Sequence, residues 1–292
     1  MKTAVWLYLF MFIALFDLHA QYPILSPFAL SLGAVPSFIG LIMGMYSITH
    51  IPGNILAGFG IDRYGSKMFI IFSLFIAGIL LLLQSKVTNP WELLVIRSIS
   101  GFILAFLSPA CLALLAKLGK NEVQQGNLMA GNGIVQTIAS ILSPAAGAIL
   151  VAEIGFTATF TLLGWVLVTT SILALFGIRE NRENTLPARN EAEAKHLLTA
   201  NSLADRDNTP WLFYSLPFAI SCSQGILFFE LPLNPLSQQS IFKSGLLFSV
   251  ISMGGLLTLS MLFLNRYSPF IRTAVGASGL ALAGTGLALA GA

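Results

Sequence analysis

Charge is scarce in this sequence. Only 9% of its 292 residues are Asp, Glu, Lys or Arg, against about a quarter in an ordinary soluble domain. A water-soluble fold must cover itself with polar groups, so that deficit excludes one. Cysteine is almost absent. Cys111 and Cys222 both fall in apolar stretches, where the residue packs as a small hydrophobe, and neither a disulfide framework nor a metal site is implied. The chain has no nucleophile elbow, no paired His-Glu metal motif and no phosphate-cradling glycine loop. An enzyme and an ATP-driven pump are therefore not expected, and no cofactor is. Ten-residue alternation of polar and apolar positions is missing too, which removes a membrane β-barrel. The net charge is +3 and the pI near 9.0, but the basic residues gather on no one face. They sit between apolar runs, so no nucleic-acid partner is expected.

What is there is hydrophobicity: 56% of the residues are apolar and the mean hydropathy is +0.83. In lipid every backbone N–H and C=O must be paired internally, and long unbroken apolar runs select helices for that task. Runs and breakers predict nine spans, at 4–30, 36–60, 68–86, 90–117, 125–152, 156–178, 211–235, 243–264 and 270–292. Lys2 before an apolar run and Leu18-His19-Ala20 faintly resemble a signal peptide, but Leu18 is not small and the apolar stretch resumes at once, so a first span is expected.

Basic residues orient the chain. Lys2, Arg63, Lys67, Lys117, Lys120, Arg179, Arg182, Arg189, Lys195, Arg206, Arg266 and Arg272 fall on one side, while only Lys86 and Lys243 fall on the other. By the positive-inside rule the N-terminus is cytoplasmic. Residues 1–178 are expected to form a six-span bundle, 179–210 a cytoplasmic linker of mixed charge, and 211–292 a partial second bundle of about three spans.

An internal repeat supports this division. Pro27 lies thirteen residues before Gly40-Leu41, and Pro232 thirteen before Gly245-Leu246. Asp62-Arg63-Tyr64 follows the second span, and Asn265-Arg266-Tyr267 follows the eighth. The two offsets, 205 and 203, differ by a two-residue gap. Two matches in register at equivalent turns point to a duplicated six-span unit running in one direction.

The turn after the second span reads Gly58-Phe59-Gly60-Ile61-Asp62-Arg63-Tyr64-Gly65-Ser66-Lys67. It resembles the inner-face signature of the major facilitator superfamily (MFS), with Ser66 in place of the first basic residue. Gly58 would allow close helix approach, Gly65 a turn, and Asp62 a pairing with basic groups or a helix N-terminus. The resemblance implies that Gly58, Asp62, Arg63, Gly65 and Lys67 act as a conformational latch between two halves. Arg97 and Gly101 resemble the family's Arg-xxx-Gly element. Ser143, Pro144, Gly147 and Ala148 resemble its antiporter motif, with Ser143 and Ala148 replacing glycines while keeping a small packing surface. Members commonly have twelve spans, so spans 10–12 are expected to be missing here.

Ionisable groups inside spans cost roughly 3 kcal/mol or more and are functional candidates. Three stand out: Asp17, Arg97 and Glu230. The resemblance places spans 1 and 4 around a central cavity, and Asp17 and Arg97 are expected to face each other across it, with Asp17 taking and releasing a proton. Glu230 is a candidate at the cavity mouth. Gln21, on the face of Asp17, and Asn132 with Gln136, which share a face of span 5, are candidate hydrogen-bonding groups for substrate; interhelical polar contacts are their plainer role. His19, Tyr22 and His50 are further polar companions.

The expected fold class is therefore an all-α integral membrane bundle of MFS type. The expected function is secondary active transport by alternating access, preferentially proton-coupled efflux of small apolar or amphipathic molecules. An uptake carrier for a sugar or organic acid is the alternative, and a non-transporting membrane scaffold or receptor the alternative of another class. The expected partners are the plasma-membrane bilayer and a small-molecule substrate, with a monomer as the complete protein and an ion gradient as the energy source.

Overall fold

The computed structural model describes residues 2–119, 121–178, 221–222, 224–226, 228–229, 231–233 and 240–260. They are helical, joined by short turns, and no strand occurs among them. The elements are α1 (Lys2–Ala20), α2 (Tyr22–Ser31), α3 (Pro36–Tyr64), α4 (Ser66–Gln84), α5 (Pro90–Leu104), α6 (Leu107–Leu118), α7 (Glu122–Gly177) and α8 (Ile241–Ser260). Residues Met1–Val250 form one compact unit and Ile251–Ala292 a second, of which only the end of α8 is described. The expected linker at 179–210, Glu230, the Asn265-Arg266-Tyr267 turn and the ninth span lie outside the described residues.

Local chemistry sets the helix ends. Pro36 and Pro90 open α3 and α5 at positions where a missing N–H costs nothing. Asn89 caps α5, its side chain accepting from Glu92 N at 3.0 Å while Glu92 Oε2 accepts from Thr88 N at 3.0 Å. Asn121 caps α7 in the same way, through Gln124 N at 2.8 Å. At the end of α2, Gly33 adopts φ +87°, Gly33 N donates to Leu30 O at 2.9 Å and Ala34 N to Ala29 O at 3.0 Å. That paired closure satisfies two carbonyls that would otherwise be orphaned.

Two predicted spans differ from the structure in an instructive way, and two more are joined. The first is split at Gln21 into α1 and α2, because Pro23 has no N–H to give the carbonyl one turn back. The fourth is split at Ala105–Phe106 into α5 and α6, where Pro109 has the same effect. The fifth and sixth are the two limbs of α7, which turns at Gly155 with φ 79° and ψ 172°. Five helical stretches among the described residues are long and apolar enough to cross a membrane, α5 and α6 together (Pro90–Leu118) counting as one, and the 55-residue stretch Val123–Gly177 of α7 is long enough for two passes. The Gly155 backbone is closed to residues with a Cβ. Gly155→Ala is expected to cost about 1–3 kcal/mol and to shorten the thermal half-life in detergent.

The core is apolar, with Phe10, Ile24, Leu25, Leu74 and Phe160 nearly fully buried. The exterior is apolar as well, since Phe59 is 75% and Phe176 80% exposed. Such rings facing water would be penalised at about 25 cal/mol per Å², and hydrocarbon removes the penalty. In Met1–Val250, α1 and α4 pack along α7 and α3 packs along α5. Small residues set these approaches: a Cβ on Gly147 would meet Ala20 O, one on Gly101 would meet Tyr46 O, and one on Gly78 would meet Gly164 O.

Candidate functional site

Asp17 on α1 is 3% exposed, Gln21 just beyond it 2%, Gln84 at the end of α4 1% and Arg97 on α5 4%. Four polar side chains from three helices thus meet where burying any of them alone would be costly. Gln21 is the hub. Its Nε2 donates to both Asp17 oxygens at 3.0 Å. Its Oε1 accepts from Arg97 Nη1 at 2.8 Å and from Gln84 Nε2 at 3.3 Å. Asp17 and Gln21 are four apart and so share a helix face, and the α1–α2 break falls at Gln21. The guanidinium also lies over the Tyr46 ring of α3, 4.7 Å from its centroid.

The structure gathers Asp17 and Arg97 into one cluster, with the Gln21 amide hydrogen-bonded to both. A carboxamide is the group suited to that place, since it offers an acceptor to the cation and a donor to the anion. Gln84 and Tyr46 were missed in the sequence. The only signal for Gln84 was one polar side chain at the end of the apolar run Leu80–Leu83, and Tyr46 carried none.

Asn132 and Gln136 do not join the cluster. Gln136 is exposed, and half-buried Asn132 keeps its Oδ1 without a hydrogen-bond partner. The reason is register. A Cβ on Gly131 would meet Tyr8, whose hydroxyl donates to Leu128 O at 2.9 Å, while Gly147 meets Ala20. The helices run parallel, so Ser143 rather than Gln136 lies level with Asp17, and Gln136 falls about 10 Å nearer the Tyr8 end. Buried Ser143 donates its hydroxyl to Ala139 O, and Pro144 O lies where a Cβ on Gly245 would fall. His19 Nδ1 bonds Leu15 O at 2.8 Å, and His50 Nδ1 bonds Asn54 Nδ2 at 2.8 Å. Above the cluster, Tyr22 stacks on Phe228 at 4.5 Å, and Phe228 packs on Phe248 at 5.4 Å.

At the other end of α3, Gly65 takes φ +89° and lets α4 begin at the next residue. Asp62 and Arg63 are exposed, and Arg63 lies 5.5 Å from the Tyr64 ring centroid. Lys67 Nζ donates to Leu175 O at 2.9 Å. Leu175 belongs to the last turn of α7, so the ammonium sits at a helix C-terminus, where a positive charge is favoured. The close approach expected at Gly58 is not made: a Cβ there would meet nothing among the described residues.

The family model described as Major Facilitator Superfamily matches residues 7–292. The chain is 32% identical over 174 residues to the multidrug resistance protein MdtG of Citrobacter koseri, a match covering 57% of this chain and 42% of that protein. It is 30% identical over 167 residues to MdtG of Salmonella newport, covering 55% and 40%. It is 26% identical over 158 residues to an uncharacterised MFS-type transporter of Methanocaldococcus jannaschii, covering 54% and 41%. These matches span about two fifths of the relatives' length. The fold resembles the crystal structure of a D-xylose-proton symporter, with TM-score 0.58 and 14% identity over 91% of this chain and 68% of that one. A helical membrane bundle, the inner-turn signature and a family match over nearly the whole length lead to one statement: this chain belongs to the Major Facilitator Superfamily.

Proposed function

We propose that the protein is a secondary transporter, not an enzyme, that works by alternating access and couples proton movement to efflux of small apolar or amphipathic molecules. The observation that carries the proton role is the buried cluster of Asp17, Gln21 and Arg97. A carboxylate removed from water is biased toward its neutral form, while a nearby cation and a donated N–H bias it toward the charged one. A group so balanced takes or releases a proton when its surroundings shift slightly. The named function of the MdtG relatives supports efflux, and the aromatic surface of Tyr22, Phe228 and Phe248 suits an amphipathic substrate.

The six-span bundle at 1–178, the linker at 179–210 and the partial bundle at 211–292 belong to the same reading, with the Gly58–Lys67 turn as the latch. So do a plasma-membrane location with the N-terminus cytoplasmic, a monomer, energy from an ion gradient and no nucleic-acid partner. A metabolite carrier is the second reading. It is favoured by Arg97 Nε, which is buried without a hydrogen-bond partner and would be satisfied by an oxygen-rich substrate.

Flux in liposomes tests both. The full-length protein is expected to move an amphipathic dye against its gradient when a pH gradient is imposed, and to stop when a protonophore collapses it. Gradient-driven movement of a sugar or organic acid, with none of the dye, would establish the second reading. Absence of any flux across a broad substrate panel would remove transport.

A further inference from the structure

We propose that His19 is a specificity-determining residue of the substrate route: its Nε2 accepts a hydrogen bond from a neutral O–H or N–H group on an aromatic molecule that lies against the Tyr22, Phe228 and Phe248 rings. The inference rests on the reading that an amphipathic substrate passes this aromatic surface.

The backbone decides which nitrogen of the ring is available. His19 Nδ1 lies 2.8 Å from Leu15 O. A carbonyl only accepts, so Nδ1 carries the proton, and the neutral ring keeps its lone pair on Nε2. No described residue donates to Nε2, and the atom is open rather than enclosed. The bond to Leu15 also fixes the direction of the ring, so the acceptor is presented the same way before a ligand arrives. Facing hydrocarbon, such an acceptor would stay unsatisfied. Facing a route that carries water or a donor-bearing molecule, it is satisfied.

What lies beside that ring is aromatic. His19 meets the Tyr22 ring edge-on, with the centroids 5.4 Å apart. Tyr22 stacks on Phe228 at 4.5 Å and lies 6.5 Å from Phe248. Phe228 and Phe248 come from beyond the 179–210 segment, so both parts of the chain contribute to the surface. Such faces take an aromatic ring by stacking, and Nε2 beside them reads whether that ring carries a donor. Charge narrows the class. Arg97 is the charged group that acts on Tyr22, so an ammonium placed here would meet a cation, whereas a phenol or an amide N–H would not. A metal ion is not the ligand, since no group of three His, Cys, Asp or Glu that could hold one occurs among the described residues.

Saturable binding to the full-length protein in nanodiscs tests this without any transport, with uptake by protein-free discs subtracted. The probes are radiolabelled naphthol, its methyl ether, which keeps the rings without the donor, and naphthylmethylammonium, which adds a charge. Naphthol is expected to bind about fivefold tighter than the ether, the effect of one ordinary hydrogen bond, and tighter than the ammonium. His19→Phe keeps a flat ring beside Tyr22 and is expected to bring naphthol down to the level of the ether. His19→Gln, which restores an acceptor, is expected to recover part of the preference. Tyr22→Leu is expected to weaken naphthol and ether alike. If His19→Phe does not fold, nitrogen NMR replaces it. With His50 and His196 changed to Gln, His19 is the one histidine left. Its Nε2 is expected to resonate as an unprotonated nitrogen and to shift with naphthol but not with the ether. Equal affinity for naphthol and ether, a preference that survives His19→Phe, tighter binding of the ammonium, an Nε2 resonance that does not respond, or no saturable binding of any probe would each overturn the inference. The expected preference together with no flux across the liposome substrate panel would uphold it while removing transport from the proposed function.

Discussion

Replacing Asp17 by Asn is expected to abolish uphill, proton-driven transport while substrate exchange persists. The substitution is nearly isosteric. The Asn carbonyl oxygen still accepts from Gln21 Nε2, so the hydrogen bonds from Gln21 to Arg97 and Gln84 need not move. What disappears is the group that changes charge. A positioned acid–base group is worth about 100-fold or more in rate, and pH-driven flux is expected to fall by at least that factor. Counterflow with labelled substrate on both sides needs no net proton movement and continues. The measurement is a pair of liposome assays on the same preparation, one driven by a pH gradient and one by exchange. Unchanged pH dependence in Asp17→Asn would remove Asp17 from the coupling mechanism. Equal loss in both assays would assign the residue to holding the bundle together, as expected when one partner of a buried charged network is removed.

The Asp17 site was partly legible in the sequence, and its limits have physical causes. Asp17 and Arg97 stood out because ionised groups are rare where hydrocarbon makes them expensive. Gln21 followed from Asp17 by helical spacing, a local rule. Gln84 did not follow from anything local, because its partner is 63 residues away and only the packing of α4 near the α1–α2 break brings the two amides together. The helical spacing puts Asn132 and Gln136 on one face but says nothing of their height, since the register between α1 and α7 is decided by where Tyr8 and Gly131 touch. The bundle was more legible. The Pro36 and Pro90 helix starts, the Gly33 and Gly65 turns and the polar gaps between apolar runs set most span ends within a few residues. The break inside the fourth span was not anticipated, because hydropathy runs smoothly through Pro109 and only the hydrogen-bond ladder registers what the proline removes.

The second large effect is expected at Gly101, one turn beyond Arg97 and on the same helix face. Helix α5 passes α3 so closely there that a Cβ on Gly101 would fall onto the carbonyl of Tyr46 and 2.6 Å from Thr49 Oγ1. Backbone atoms cannot swing aside as a side chain can, so in Gly101→Val the helices must part. Forced overpacking costs about 1–3 kcal/mol, and here the cost reaches the site as well, because the ring displaced by the parting is the Tyr46 ring that lies over Arg97. The spacing of the Arg-xxx-Gly element then has a physical meaning: the glycine brings α3 near enough to cover the arginine. Gly101→Val is expected to shorten the thermal half-life in detergent severalfold and to reduce transport in the molecules that remain folded. Gly101→Ala is expected to fall between it and the parent. Gly133→Val is the control, since a Cβ there meets nothing among the described residues and the cost is only that of a β-branched residue in a helix. Equal losses at Gly101 and Gly133 would mean that the α3–α5 approach does not govern stability, and a stable Gly101→Val with normal flux would mean that Tyr46 need not cover Arg97.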